Sequence, residues 1–186
     1  LVALQGPKAA AVLARFASGA DKMDFMSYAE VDICGVICFI SRSGYTGEDG
    51  YEISIPAEKA IEVCEALLSE QEVEAIGLGA RDSLRLEAGL CLYGHDITED
   101  TTPVEGALIW SIGKRRREDG GFPGAQIILE QISSGNITRK RVGIIPSGRA
   151  PAREGTEILD SADNIIGVIT SGGFGPTFGG PVAMGY

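Results

Sequence analysis

The sequence predicts an α+β fold in which a mixed front portion is followed by a β-rich portion. Three observations carry this expectation. In the first 130 or so residues, apolar side chains recur at three- and four-residue spacing in some stretches and at period two in others, the signatures of helices and half-buried strands. From Arg139 onward the texture changes to short apolar runs broken by Gly, Pro and Asn, as in a small β-barrel or sandwich. Glycine supplies 26 of 186 residues, about twice the usual share of roughly 7%, which suits tight turns and close backbone approaches.

Taken in order, Leu1-Val2-Ala3-Leu4-Gln5 reads as a strand running into a short helix over Ala9 to Phe16, with Pro7 where a first helical turn tolerates it. Val31 to Ser41 is rich in Val, Ile and Phe and is expected to be one strand, with Gly35 as a bulge or close approach. Ser43 to Gly50 is turn chemistry throughout. Tyr51 to Ile55 alternates polar and apolar residues and ends at Pro56, so it reads as a half-buried strand. Ala57 to Gln71 carries Ile61, Cys64, Leu67 and Leu68 at helical spacing. Ala80 to Ala88 is a further helix with Gly89 as its C′ residue. Ala107 to Ile112 is expected as a strand, Lys114 to Gly121 as a charged connector, and Gly124 to Gln131 as a short helix. The back half then offers strands at Arg141 to Ile145, Thr156 to Leu159, Ile165 to Ser171 and Val182 to Tyr186, with Ser171 to Gly180 as a loop between two of them. The Ser133-Ser134-Gly135-Asn136 stretch sets a domain boundary, giving domains 1–134 and 135–186. The chain opens without Met on a strand and stops in another, so a piece of a longer protein is expected, its second domain truncated.

Charge narrows the function classes. Lys plus Arg total 16 against 26 Asp plus Glu, a formal charge of −10. That balance disfavours a general nucleic-acid binder and an anionic membrane surface, both of which need cations facing phosphates. No apolar run approaches the 18 residues of a transmembrane helix. Cys34, Cys38, Cys64 and Cys91 form no C-x-x-C pair and read as reduced, buried thiols. With His95 as the single histidine, multi-histidine metal sites are excluded and no metal is expected. His95 has no nucleophile placed beside it and is not expected to be catalytic.

Two stretches hold residues that a purely structural account leaves over. In Gly44-Tyr45-Thr46-Gly47-Glu48-Asp49-Gly50-Tyr51-Glu52 the glycines and Asp-Gly are explained by a hairpin loop, but Glu52 inside a strand is not. A strand carboxylate facing a concavity suits a ligand with two adjacent N–H donors. In Gly79 to Gly89 the charges Arg81, Asp82 and Arg85 form either an intrahelical ion-pair network or a helix end whose Arg81 faces an anionic or carbonyl-bearing ligand. The run Lys114 to Arg117 is either a solvated connector or a docking patch for an acidic protein or polyanionic tail. The glycines of Ser171 to Gly180 lack the Lys-Ser/Thr of a phosphate loop.

These segments together resemble the aminomethyltransferase family, the T proteins of the glycine cleavage system. The resemblance runs through Gly44 to Glu52, Gly79 to Leu90, Thr101-Thr102-Pro103-Val104-Glu105-Gly106 and Val168 to Pro176, in family order over essentially the whole chain. It implies a folate-binding aminomethyltransferase-type domain followed by a C-terminal β-barrel. It implies an enzyme that takes the aminomethyl group from the lipoyl arm of the H protein and passes its carbon to tetrahydrofolate. In such enzymes a strand glutamate grips the pterin, and here that position is Glu52. Arg81 corresponds to the folate-contacting arginine, and Tyr45 and Trp110 to aromatic walls of the pocket. The family's catalytic aspartate belongs to an N-terminal region this chain lacks, so no catalytic residue is expected here and the isolated piece is expected to be inactive. The implied compartment is the cytoplasm of a bacterium or the mitochondrial matrix. The alternative is the folate domain of a sarcosine- or dimethylglycine-demethylating flavoenzyme.

Overall fold

Alternation at period two builds a four-stranded antiparallel sheet from β1 (Val2–Gln5), β2 (Tyr28–Ile33), β3 (Val36–Ser41) and β4 (Gly50–Ser54), in the order β1-β4-β3-β2. The structure, a computed structural model, describes all of residues 1–186. It divides into two compact units, Leu1–Ala88 and Gly89–Tyr186.

In the first unit, α1 (Ala9–Phe16) and α2 (Ala60–Leu68) supply Val12, Leu13, Val63 and Leu67 to a core shared with Leu4, Ile33, Cys38, Ile40, Tyr51 and Ile53. Successive strand residues point to opposite faces, so burying Tyr51 and Ile53 turns Glu52 to the other face of β4. The register sets Glu52 between Ala3 of β1 and Ser41 of β3. That face is open: Ile37 and Phe39, which lie on it, are more than half exposed. The helix α3 (Leu78–Glu87) follows, ended by Gly89 at φ +74°, as expected of a C′ glycine.

The expected single strand over Val31 to Ser41 is corrected to the hairpin β2–β3. Cys34 (φ +55°) and Gly35 (φ +80°) both take left-handed conformations, as a two-residue type I′ turn requires, and the Asp32 carboxylate accepts the Gly35 N–H at 2.7 Å. β-formers on both sides conceal this reversal, and Cys34 in place of a usual turn residue leaves Asp32 and Gly35 as its only local signals. The cysteines are free, but Cys34 is exposed at the turn rather than buried. Burial pushes the Cys38 thiol up, which keeps it protonated and inert.

The second unit holds α4 (Lys114–Asp119), α5 (Ala125–Ser134) and the antiparallel strands β5 (Val142–Ile144), β6 (Glu157–Leu159), β7 (Ile165–Gly175) and β8 (Gly180–Gly185), in the order β5-β8-β7-β6. Three expectations are corrected here. Ala107 to Ile112 is no strand: Thr102 and Glu105 exchange side-chain-to-backbone hydrogen bonds, a reciprocal box that starts coiled backbone. Leu108 N–H then donates to the Pro103 carbonyl, and a 3-10 turn covers Ile109–Ser111. Lys114 to Asp119 is a helix rather than a connector, ended by Gly120 at φ +67°. Ser171 to Gly180 is mostly strand, with only residues 176–179 left to the turn. No helix is long and apolar enough to cross a membrane.

One surface cluster in the first unit makes acid sensitivity predictable. Arg15 forms ion pairs with Glu70 and with Glu72, the latter at 2.7 Å. Hydrogen bonding to Arg15 holds the Glu72 carboxyl down at about 2, against an ordinary 4.5. A depressed folded value means the pair's contribution is complete above the unfolded value and is lost as pH falls through the folded one. Glu72→Gln is therefore expected to lower stability at pH 7 slightly, because exposed pairs are weak, and to flatten the pH dependence of stability between about pH 4.5 and 2 by that same small amount. Urea midpoints measured across that range check it.

Candidate functional site

The loop over residues 42–49 joins β3 to β4 and carries the first two candidate residues. Its base is closed by Arg42, which donates to both Asp49 carboxylate oxygens, at 3.0 and 2.8 Å, and to the carbonyls of Asp21 and Met23. This two-pronged pairing holds the Asp49 carboxyl below its ordinary range and fixes the loop's entry and exit. The loop interior is organised by Gln5. Its amide donates to the carbonyls of Ser43 (3.0 Å) and Tyr51 (3.2 Å) and accepts from the Thr46 hydroxyl (3.1 Å). Gly44 is needed there, since a Cβ on it would lie 1.9 Å from the Gln5 amide oxygen.

Glu52 is half-buried on the open sheet face, and the Ser43 hydroxyl donates to its Oε2 at 3.1 Å. Ser43 is itself 2.8 Å from the Ser41 hydroxyl. One serine donor occupies one of roughly four acceptor positions on a carboxylate, so Glu52 retains the capacity to take two N–H donors side by side. Tyr45, two residues beyond Ser43, is half-buried, and the exposed Arg81 guanidinium stands over its ring at 4.9 Å from the centroid. Such stacking is favourable for the cation.

Tyr45 and Arg81 are thus brought together, and Glu52 is tied to the same loop through Ser43. The two accounts of the Gly79 to Gly89 charges divide between them. Asp82 pairs with Arg85 within the helix at 2.7 Å, whereas Arg81 sits on Tyr45. Trp110 belongs to the second unit, on the 3-10 turn Ile109–Ser111, and is 77% exposed. Sequence reasoning missed Gln5, Ser41 and Ser43. The one available signal was the Gly44 and Gly50 pair, which implies a close neighbour without saying which.

The loop also packs on α3. Gly47 has φ +81°, and a Cβ there would meet the Ala88 Cβ at 2.6 Å. Gly47→Ala is expected to cost roughly 2–3 kcal/mol, the sum of a left-handed alanine and a backbone displacement. Thermal melts of the variant check this cost.

Asp96 is the second feature that sequence reasoning passed over. It is 1% exposed and accepts from Leu92 N–H (2.8 Å), the Thr170 hydroxyl (2.6 Å) and the Ser171 hydroxyl (2.9 Å). The Tyr186 hydroxyl donates to its backbone carbonyl at 2.8 Å. Neighbouring strand residues normally point apart, but β7 is bulged between Ile169 and Ser171, and the bulge turns both hydroxyls onto one carboxylate. His95, beside it, is solvent-facing and pairs with Glu154 at 2.8 Å.

Comparison with known proteins gives the family. Residues 1–116 match the GCVT N-terminal domain, and residues 139–186 match the glycine cleavage T-protein C-terminal barrel domain. The mitochondrial aminomethyltransferase of Solanum tuberosum is 55% identical over 189 residues, covering 100% of this chain and 46% of that protein. That of Dictyostelium discoideum is 49% identical, covering 100% and 48%. The crystal structure of the glycine cleavage system aminomethyltransferase T from Bartonella henselae superposes with a TM-score of 0.90 at 53% identity, covering 99% of this chain and 50% of that one. The chain therefore spans about half the length of the relatives it matches. With both domain matches in order and the mixed fold followed by the barrel-domain strands, the chain belongs to the glycine cleavage T-protein family.

Proposed function

We propose that the whole protein to which this chain belongs is a tetrahydrofolate-dependent aminomethyltransferase. It would take the S-aminomethyl group from the dihydrolipoyl arm of the H protein and pass its carbon to tetrahydrofolate. The products are 5,10-methylenetetrahydrofolate, ammonia and dihydrolipoyl H protein. The observation that carries the reading is Glu52, a half-buried strand carboxylate with acceptor capacity to spare beside an arginine-backed tyrosine. The names of its relatives favour a transferase over the folate domain of a demethylating flavoenzyme.

In this reading Glu52 accepts the pterin 2-amino group and N3–H. Tyr45 offers the pterin the ring face that Arg81 does not cover, and Arg81 faces a carbonyl or carboxylate of the ligand. Trp110 supplies a second aromatic wall. These residues bind and orient; the chemistry needs the folate N5 held against a reactive carbon that water must not reach. No residue of this chain is assigned a catalytic proton. The boundary between the folate-binding portion, 1–134, and the barrel, 135–186, is supported by the gap between the two family matches and by the end of α5 at Ser134. The compartment would be the mitochondrial matrix in a eukaryote, as the names of the relatives suggest, or the cytoplasm in a bacterium. Calorimetric titration of the whole protein with tetrahydrofolate, with and without Glu52→Gln, tests the reading; absence of binding by the folded wild-type protein would sink it.

A further inference from the structure

We infer that Ser43 is a positioning residue for Glu52: its hydroxyl, steadied by Ser41, sets the plane in which the carboxylate meets the two N–H donors of its ligand. This rests on the function proposed above, in which Glu52 accepts those donors.

Torsional preference alone does not fix that plane. The last torsion of a glutamate joins an sp3 to an sp2 carbon and is broad, so an unheld carboxylate samples many planes. Two parallel N–H bonds need one of them, held within about 10–20°. The Ser43 Oγ–H donates to Glu52 Oε2 at 3.1 Å, and the Ser41 hydroxyl lies 2.8 Å from that of Ser43. The direction of this chain follows from the proton inventory. A hydroxyl carries one proton and a carboxylate none. Ser43 gives its proton to Glu52, so Ser41 must be the donor to Ser43. Both lone pairs of Oε1 and one of Oε2 then remain for a ligand.

Ser43 is itself held from both sides. The register sets Ser41 directly across from Glu52 on the same sheet face, where cross-strand neighbours approach to about 5 Å. The Gln5 amide donates to the Ser43 carbonyl at 3.0 Å and to the Tyr51 carbonyl at 3.2 Å, tying the Ser43 backbone to β4 one residue from Glu52. Gly44 and Gly50 close on that amide, since a Cβ on either would come within 1.9 and 2.6 Å of it. The Thr46 hydroxyl donates to the amide oxygen at 3.1 Å and fixes which way the amide points. A hairpin already joined by ladder bonds needs no such chain for its stability, because one part-exposed hydroxyl bond contributes little net. Ser41, Ser43 and Glu52 are all half-buried, so the carboxylate is held without being sealed from a ligand.

Calorimetric titration of the whole protein with tetrahydrofolate, across the double-mutant cycle of Ser43→Ala and Glu52→Gln, tests this role. Ser43→Ala is expected to weaken binding roughly 5- to 12-fold, the equivalent of one net hydrogen bond. In the Glu52→Gln background the same change is expected to cost less than about twofold, because the carboxylate it orients is gone. A loop merely loosened by the substitution would lose affinity equally in both backgrounds. Ser41→Ala approaches the chain from its other end and is expected to weaken binding about two- to threefold, again only with Glu52 in place. Circular dichroism melts that match wild type show that the fold is kept. Equal losses in both backgrounds overturn the positioning role. So do serine variants that bind like wild type while Glu52→Gln binds weakly, and in either case the proposed function stands. A Glu52→Gln variant that binds as tightly as wild type removes the carboxylate clamp and the positioning role together.

Discussion

Glu52→Gln in the whole protein is expected to lower tetrahydrofolate affinity by roughly 30- to 700-fold, the equivalent of about 2–4 kcal/mol. The direction follows from hydrogen-bond inventory. A carboxylate offers acceptors only, and two adjacent N–H groups of a pterin can meet its two oxygens side by side. Glutamine keeps the size and one acceptor but turns an NH2 toward one of those donors. The loss is therefore an unpaired donor facing another donor in a partly desolvated place, in addition to the lost charge assistance. The fold should survive, because Glu52 points away from the core that Tyr51 and Ile53 enter and accepts a serine hydroxyl rather than a core donor. Calorimetric titration reads the affinity and a melt reads the fold. An affinity within threefold of wild type would remove Glu52 as the pterin clamp.

Asp96→Ala is expected to be the most destabilising single change in the second unit, by on the order of 3–5 kcal/mol. It removes an acceptor from the Leu92 amide and the Ser171 hydroxyl and leaves the Thr170 hydroxyl its longer 3.3 Å bond to the Met184 carbonyl, and each buried donor that loses its acceptor costs about 1–3 kcal/mol. Water entering the vacated space would recover part of this. Asp96→Asn should cost less, since its carbonyl oxygen still accepts. A double-mutant cycle with Thr170→Val separates the Thr170 bond from the rest: the coupling should be at least about 1 kcal/mol if hydroxyl and carboxylate act as a pair. Hydrogen exchange should report lost protection over residues 92–98 and 168–172 together. An Asp96→Ala variant that exchanges and melts like wild type would show that the bulge in β7 does not depend on this carboxylate.

How much of this could be read from the chain follows from the range of each interaction. The amphipathic helices α1, α2 and α3 and the alternating strand β4 declare themselves within ten residues, because a helix or strand needs one face buried and the period records it. Gly89 as a C′ residue and the four back-half strands are local in the same way. Glu52 stood out because a hairpin loop explains the glycines around it but not a carboxylate inside a strand, whereas Tyr45 was named only by the family resemblance and Arg81 had an ion-pair account that the resemblance outweighed. Where local signals compete, the reading fails. Val31 to Ser41 is mostly strand formers, with only Asp32 and Gly35 to mark the turn, so the reversal was outweighed. The Thr102–Glu105 box coils the backbone ahead of Ala107 against a strand-like composition.

The sequence by itself determined the amphipathic helices, the alternating strands, the acidic balance, the family and the face of β4 on which Glu52 must lie, since all of these depend on composition or on neighbours a few residues away. Only the tertiary structure decided what those residues meet. Gln5 reaches Ser43 and Thr46 across 38 and 41 residues, Arg81 settles on Tyr45 rather than Asp82, and Asp96 gathers two consecutive hydroxyls 74 and 75 residues away because a bulge turns them together. Polar side chains choose partners by direction as well as by type, and direction is set by strand register and backbone turns that no single segment encodes.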